Sequence, residues 1–294
     1  MTCNRVSGKY GHFSVSGGTI AHLKNWNMSL NAPVTSEARS NTQGYQVSWG
    51  GVKSVSGGFS CAGAEPMVKI LDTGVFRGHT GGMAPNTSGY NIAYAVRAAV
   101  SGVTMNFDWQ AKTVSSDYQF VSDYQNSGDE LQQTTGTIST DSSPPRSFLS
   151  PTTNPVLING TPLCVQNATI TFSATPNATS DSCSGGWQTL MGMGAVNVTF
   201  SGTCTCNDFS LIPDICTCNT LKIFTDMCDP TKFWEFSYFL MAGKDSLTVD
   251  TVSANGVTFT INMTYSIAPC GCNADTTGFI KDPNNVYWVG SAPA

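Results

Sequence analysis

Short strings recur along this chain in a fixed order. Tyr45-Gln46 has a counterpart in Trp187-Gln188, 142 positions later, and Ala32/Ala174, Met28/Ile170 and Leu30/Phe172 share that spacing. Further on, Val68-Lys69-Ile70-Leu71 matches Leu221-Lys222-Ile223-Phe224 at a spacing of 153, and Gly102-Val103-Thr104 matches Gly256-Val257-Thr258 at 154. The spacing grows mainly across residues 204–218, which are rich in cysteine. Duplication followed by one loop insertion leaves such a trace. A fold repeated within one chain is a natural way to build a ring or an array.

The 294 residues suit two domains of that size, each able to bury its own core. The expected division is 1–134 for the first, 135–154 for a Ser/Thr/Pro-rich linker, and 155–294 for the second with its insertion at 204–218. The linker composition, with Ser143-Pro144-Pro145, buries too little apolar surface to order itself.

Helix signals are scarce. Val, Thr, Ser and aromatics dominate, punctuated by Gly, Asn and Pro, so the chain is expected to be mainly β. Val103, Met105, Phe107 and Trp109 share one face of an alternating segment, and residues 115–124 read as its hairpin partner. Residues 246–252 and 257–265 flank Ser253-Ala254-Asn255-Gly256, and Asn-Gly is a strong hairpin signal. Residues 92–100 and 231–241 fit strand or helix equally. The tail, 270–294, reads as loop. Two polar excursions, 33–44 and 175–186, interrupt the first strands of each half. Each is longer than a compact domain needs for a connection, and is either an extended hairpin arm reaching a neighbour or a surface loop.

Charged residues make up 11% of the chain, against about 25% in an ordinary soluble domain. Ser, Thr, Asn and Gly take their place. That mix suits a neutral β surface, or one covered on many sides by copies of itself. Residues 1–150 carry ten Lys/Arg and nine Asp/Glu, whereas 151–294 carry four and ten. No basic cluster marks a phosphate-binding groove. An acidic surface instead lets a polyanion pass without adhering. No apolar leader with a small-residue cleavage site opens the sequence, which is expected to be made in a cytoplasm. The longest apolar run, 233–242, contains Glu235 and is too short for a membrane helix.

Nine of the eleven cysteines lie between Cys164 and Cys272, and three pairs are Cys-x-Cys. Buried reduced thiols, disulfides formed after release from the cell, and a structural zinc all stay open. The spacing matches the usual zinc pattern poorly. His12, His22 and His79 belong to no catalytic motif, and His79 reads as part of a turn. No nucleophile elbow, P-loop or His-Glu-x-x-His is present, so neither enzyme activity nor a cofactor is expected.

The order of features over the first half resembles the tail tube proteins of long-tailed bacteriophages. The residues concerned are Ser16-Gly17-Gly18-Thr19, the Trp-bearing 26–30, Thr35-Ser36-Glu37, Tyr45, Gly50-Gly51, the small-residue strand 54–60, and Gly128-Asp129-Glu130-Leu131 after 118–124. The second half follows the pattern through Gly185-Gly186-Trp187 and 196–202, but not at its close. The resemblance implies two tandem β-sandwich or β-barrel domains, each with a long hairpin arm and at most a short helix. It implies trimeric rings stacked into a tube, with arms between rings. The arm residues would be Thr35, Ser36, Glu37 and Arg39 in the first half, and Thr179, Ser180 and Asp181 in the second. It further implies other tail proteins at the tube ends, viral DNA passing through the lumen without sequence-specific binding, and a virion tail assembled in the host cytoplasm. The other reading is a β-sandwich adhesin or capsid decoration protein that binds a host glycan or a capsid.

Overall fold

The computed structural model describes residues 11–38, 45–63, 68–80, 92–135, 156–163, 165–204, 219–225, 231–241, 248–249, 257–264 and 280–283. All but the first residue of the linker and all but the first residue of the cysteine-rich insertion lie outside them. The described residues are mainly β-strand and contain no helix.

In the first half, strands run β1 (His12–Val15), β2 (Gly18–Thr19), β3 (Leu23–Asn31), β4 (Val34–Ala38), β5 (Gln46–Gly50), β6 (Ser54–Ala62), β7 (Thr73–His79), β8 (Ile92–Asp108), β9 (Thr113–Ser122) and β10 (Gln132–Thr135). Leaving β4 and β5 aside, they pair antiparallel in the order β2–β1–β7–β8–β9–β6–β3, with β10 also on β8. In the second half come β11 (Val156–Ile158), β12 (Thr161–Leu163), β13 (Val165–Thr179), β14 (Thr189–Cys204), β15 (Asn219–Phe224), β16 (Phe233–Met241), β17 (Thr248–Val249), β18 (Val257–Thr264) and β19 (Ile280–Lys281). Their order is β12–β11–β15–β16–β18–β14–β13, with β17 on β18 and β19 on β16.

Alternation places the core. Along β9 the even-numbered Val114, Ser116, Tyr118, Phe120 and Ser122 are buried, while their odd-numbered neighbours reach solvent. The first core is aromatic. Phe13 of β1 stacks on Phe59 of β6 at 4.8 Å and lies 5.9 Å from Phe120 of β9, so two layers meet there. Gly57 is required at this meeting point, since a Cβ would stand 2.5 Å from the Phe120 ring and closer still to the Asn27 carbonyl. The second core gathers Phe172, Trp234 and Phe236, all fully buried.

The segments left open between strand and helix are both strands. Residues 92–100 belong to β8 because both of its edges are taken, by β7 on one side and by β10 and β9 on the other. Its alanines give the tight packing that buries Ala93, Ala98 and Ala99 completely. Residues 231–241 contribute β16. Of the tail, expected to be loop, the described residues 280–283 include one short strand, β19.

A bulge between Val100 and Gly102 bends β8. Before it, residues 93–99 pair with β7. After it, residues 102–108 pair with β13 of the second half along seven positions, from Gly102↔Ser173 to Asp108↔Asn167. The Trp109 N–H prolongs this seam by donating to the Gln166 carbonyl at 3.0 Å. The two halves therefore share one continuous sheet, β3–β6–β9–β8–β13–β14–β18.

The recurring strings divide on this frame. Met28/Leu30 and Ile170/Phe172 occupy β3 and β13, each the first strand of a long antiparallel pair, and Tyr45-Gln46 and Trp187-Gln188 lead into β5 and β14. The later matches do not hold. Residues 68–71 form a turn, whereas Leu221–Phe224 lie in β15. Gly102–Thr104 lie in β8, whereas Val257-Thr258 lie in β18, which bridges β14 and β16 as β9 bridges β6 and β8. Short apolar and Gly-Val-Thr strings suit any strand and carry no register.

Candidate functional site

The outer face of the shared sheet is built by the residues that alternate with the core. On β3 they are Asn25, Asn27, Ser29 and Asn31, and on β6 Ser54, Ser56, Gly58 and Ser60. On β9 they are Ser115, Asp117, Gln119 and Val121, and on β8 Gly102, Thr104, Asn106 and Asp108. On β13 they are Asn167, Thr169, Thr171 and Ser173, and on β14 Asn197, Thr199 and Ser201. Apart from Val121 and two glycines, neutral hydroxyls and amides cover six strands, with two carboxylates and no cation among these residues. Side chains are linked across the face. Ser60 Oγ donates to Asp117 Oδ1 at 2.5 Å, Asn106 Nδ2 to Asp117 Oδ2 at 3.4 Å, and Thr169 Oγ1 to Asn106 Oδ1 at 3.0 Å, the last across the seam between halves. A groove crosses this face where Gly58 lacks a side chain, lined by Asn27, Ser29, Ser56 and Gln119.

Thr35, Ser36 and Glu37 lie in β4, which among the described residues pairs only with β5 in a separate two-stranded hairpin. Arg39 falls outside the described residues. The hairpin is exposed along both strands. Thr35 and Glu37 share a face with Trp49 and Val47, while Ser36 meets Ser48 across the other face, their hydroxyls 2.6 Å apart. Tyr45 is 76% exposed and Leu30, at the base, 51%. Val47 and Trp49 are exposed as well, so the hairpin carries several accessible large hydrophobic side chains.

The second excursion behaves differently. Thr179 ends β13 opposite Thr189, and Ser180 and Asp181 open the turn. Asp181 Oδ1 organises that turn by accepting from the Cys183 and Ser184 amides at 2.9 and 2.8 Å. The return limb then lies against the first half. Lys53 N–H donates to the Gly186 carbonyl at 2.7 Å, Gln188 N–H to the Lys53 carbonyl at 2.8 Å, and Tyr124 N–H to the Gln188 carbonyl at 3.0 Å. Lys53 Nζ stands 5.5 Å over the Trp187 ring. Asp123 Oδ1 accepts from Leu190 N–H at 3.0 Å and from Gln125 Nε2 at 2.7 Å, with Arg97 Nε 3.8 Å from its other oxygen. Sequence reasoning missed this clasp of Lys53, Asp123 and Tyr124 on residues 186–190. Gly185-Gly186-Trp187 stood out only as a turn before a strand, and nothing near Lys53 marks its partner.

His79 ends β7 rather than forming a turn, and pairs with His12 of β1. Their rings stack at 4.0 Å, and both Nδ1 atoms are buried without a hydrogen-bond partner. Burial lowers both imidazoles below their ordinary value. His79 falls to about 4, with the His12 ring and Arg77 adding to burial. The Cys61 thiol is buried and pushed up to about 12 by burial and then Asp117, against a smaller pull from Lys24. It acts as a small core residue rather than a nucleophile. Cys183 is free and exposed. No cluster of three metal-ligating side chains occurs among the described residues, and most cysteines lie outside them.

No family model matches the chain, and no curated protein matches it.

Proposed function

We propose that this is a structural protein that polymerises into the stacked-ring tail tube of a bacteriophage, built from two copies of one β-sandwich. The carrying observation is the seven-residue ladder between β8 and β13, which fuses the halves edge to edge into one sheet with an apolar and a neutral polar face. The matching order of strand partners in the two halves supports the duplication. A subunit that already joins sandwich to sandwich by strand pairing is suited to join neighbours in the same way, three copies closing a ring. The polar face would line the lumen, where hydroxyls, amides and two carboxylates offer DNA no cation to hold. The exposed β4–β5 hairpin would reach an adjacent ring. Other tail proteins would meet the tube at its ends, in a virion assembled in the host cytoplasm. Function on this reading lies in geometry rather than catalysis.

Electron microscopy of the concentrated pure protein tests the proposal. Rings or tubes with a lumen are expected. A persistent monomer, or a particle without a lumen, overturns it. The exposed Tyr45 and Trp49 on a hairpin that carries the Ser36 and Ser48 hydroxyls on its opposite face favour a second reading, a β-sandwich adhesin or decoration protein. Binding to glycans or capsids by a discrete oligomer would favour that reading.

A further inference from the structure

β3 is a bare sheet edge. It pairs with β6 on one side and with no strand on the other among the described residues. From Asn25 to Asn31 it carries no charge and no proline, and its bulge lies before Asn25. Charges, prolines and bulges are the usual guards of an exposed edge, so this one is an unguarded template. Its place in the pairing order of the first half is that of β13 in the second, and the matching edge of β13 is filled by β8. The difference shows in burial. Phe172 of β13 is fully buried, while its counterpart Leu30 is half exposed.

We infer that the β3 edge is filled by β17 of a second copy of this chain, antiparallel, with Ser29 opposite Thr248 and Met28 opposite Val249. The register follows from the ladders. Leu30↔Val55 corresponds to Phe172↔Val198, which aligns β6 with β14. Ser56↔Val121 then corresponds to Thr199↔Asn262, which aligns β9 with β18. Thr104↔Asp117 and Met105↔Ser116 fall on Thr248↔Thr258 and Val249↔Val257, so β17 stands where the far part of β8 stands. Within the chain Thr104 faces Thr171 and Met105 faces Ile170. Moving that pairing to β3, where Ser29 and Met28 replace Thr171 and Ile170, gives the stated register. The contact joins two different edges, so it runs head to tail and either closes a ring or propagates. It rests on the self-assembly reading and adds which edges meet and in what register.

The experiment mixes two single variants of the full chain, Ser29→Cys and Thr248→Cys, under mild oxidation. A disulfide-linked pair of chains is expected from the mixture. It should be absent from either variant alone, from the unmodified chain with its native cysteines, and from the out-of-register mixture of Asn27→Cys with Thr248→Cys. In parallel, Leu30→Glu places a charge at the half-exposed edge position. It should leave the melting temperature unchanged and lower the assembled fraction about tenfold. Amide exchange along residues 25–31 should slow on assembly. Rings that form without the crosslink and without protection of β3 overturn the seam and leave the tube reading standing. Failure of the folded wild-type chain to assemble overturns both.

Discussion

At the scale of single residues, the buried imidazoles are the sharpest chemical feature. His12 and His79 stack at the β1–β7 edge with Arg77 nearby, so a proton on either ring is opposed by burial and, at His79, by like charge. The unfolded chain binds those protons at the ordinary imidazole value of 6.5, while folded His79 resists down to about 4. Between those values the unfolded state holds more protons, so stability rises with pH. The contribution is complete above 6.5 and is lost as pH falls toward 4. Urea midpoints measured at pH 7.5 and pH 5 should differ more for the wild type than for His79→Phe, which keeps an aromatic ring and removes the titration. Equal pH dependence in the two proteins would show that the pair does not control acid stability. The pair sits at one end of the β1–β7 ladder, which runs four residues from His12↔His79 to Val15↔Phe76.

At the scale of elements, the clasp between halves rests on Asp123. Its side chain is 7% exposed and collects the Leu190 amide, the Gln125 amide and the Arg97 guanidinium. Asp123→Ala removes an acceptor from each and leaves a half-buried cation with less neutralisation. The expected cost is about 2–3 kcal/mol, read as a lowered urea midpoint and lost exchange protection at Leu190. An unchanged midpoint would show that β8–β13 alone holds the halves. Elements of this kind were only partly legible in the sequence. Alternation gave β9 and the far part of β8 directly, and the hairpin expected over 246–265 survives as the two-residue pairing of β17 with β18, its Asn255-Gly256 turn lying outside the described residues. Residues 92–100 were ambiguous because alanine suits a helix as well as a strand packed on both faces. The exposed hairpin was foreseen as one of two forms of the 33–44 excursion, yet the sequence could not say that the second excursion folds back on Lys53. The clasp is made mostly of backbone donors and acceptors between distant segments, which leave no side-chain signature. The seam is invisible for the same reason, since its ladder is backbone and its outward residues are ordinary Thr, Asn and Ser.

At the scale of the whole molecule, low charge density acquires a location. The neutral residues are concentrated on the outer face of the shared sheet, and Thr104, Thr171 and Thr199 form one row across β8, β13 and β14. On the proposed reading that row faces the lumen. Replacing all three with lysine leaves the buried face untouched and adds three cations within reach of a passing phosphate backbone. Each new phosphate contact steepens the dependence of log K on log salt by about 0.9. Assembled wild-type particles should therefore not retain a short DNA duplex near physiological salt, whereas assembled triple-lysine particles should retain it with a slope steeper by up to roughly 2.7 for each subunit whose row meets the duplex. Fluorescence anisotropy of a labelled duplex across a salt series reads both quantities. Disassembled subunits of the variant should bind more weakly, because a ring repeats the row around the duplex and a lone subunit presents it once. Tight, strongly salt-dependent binding by the wild type would mean that cations elsewhere in the chain meet the nucleic acid, and the neutral face would then have to lie outside the path of the DNA.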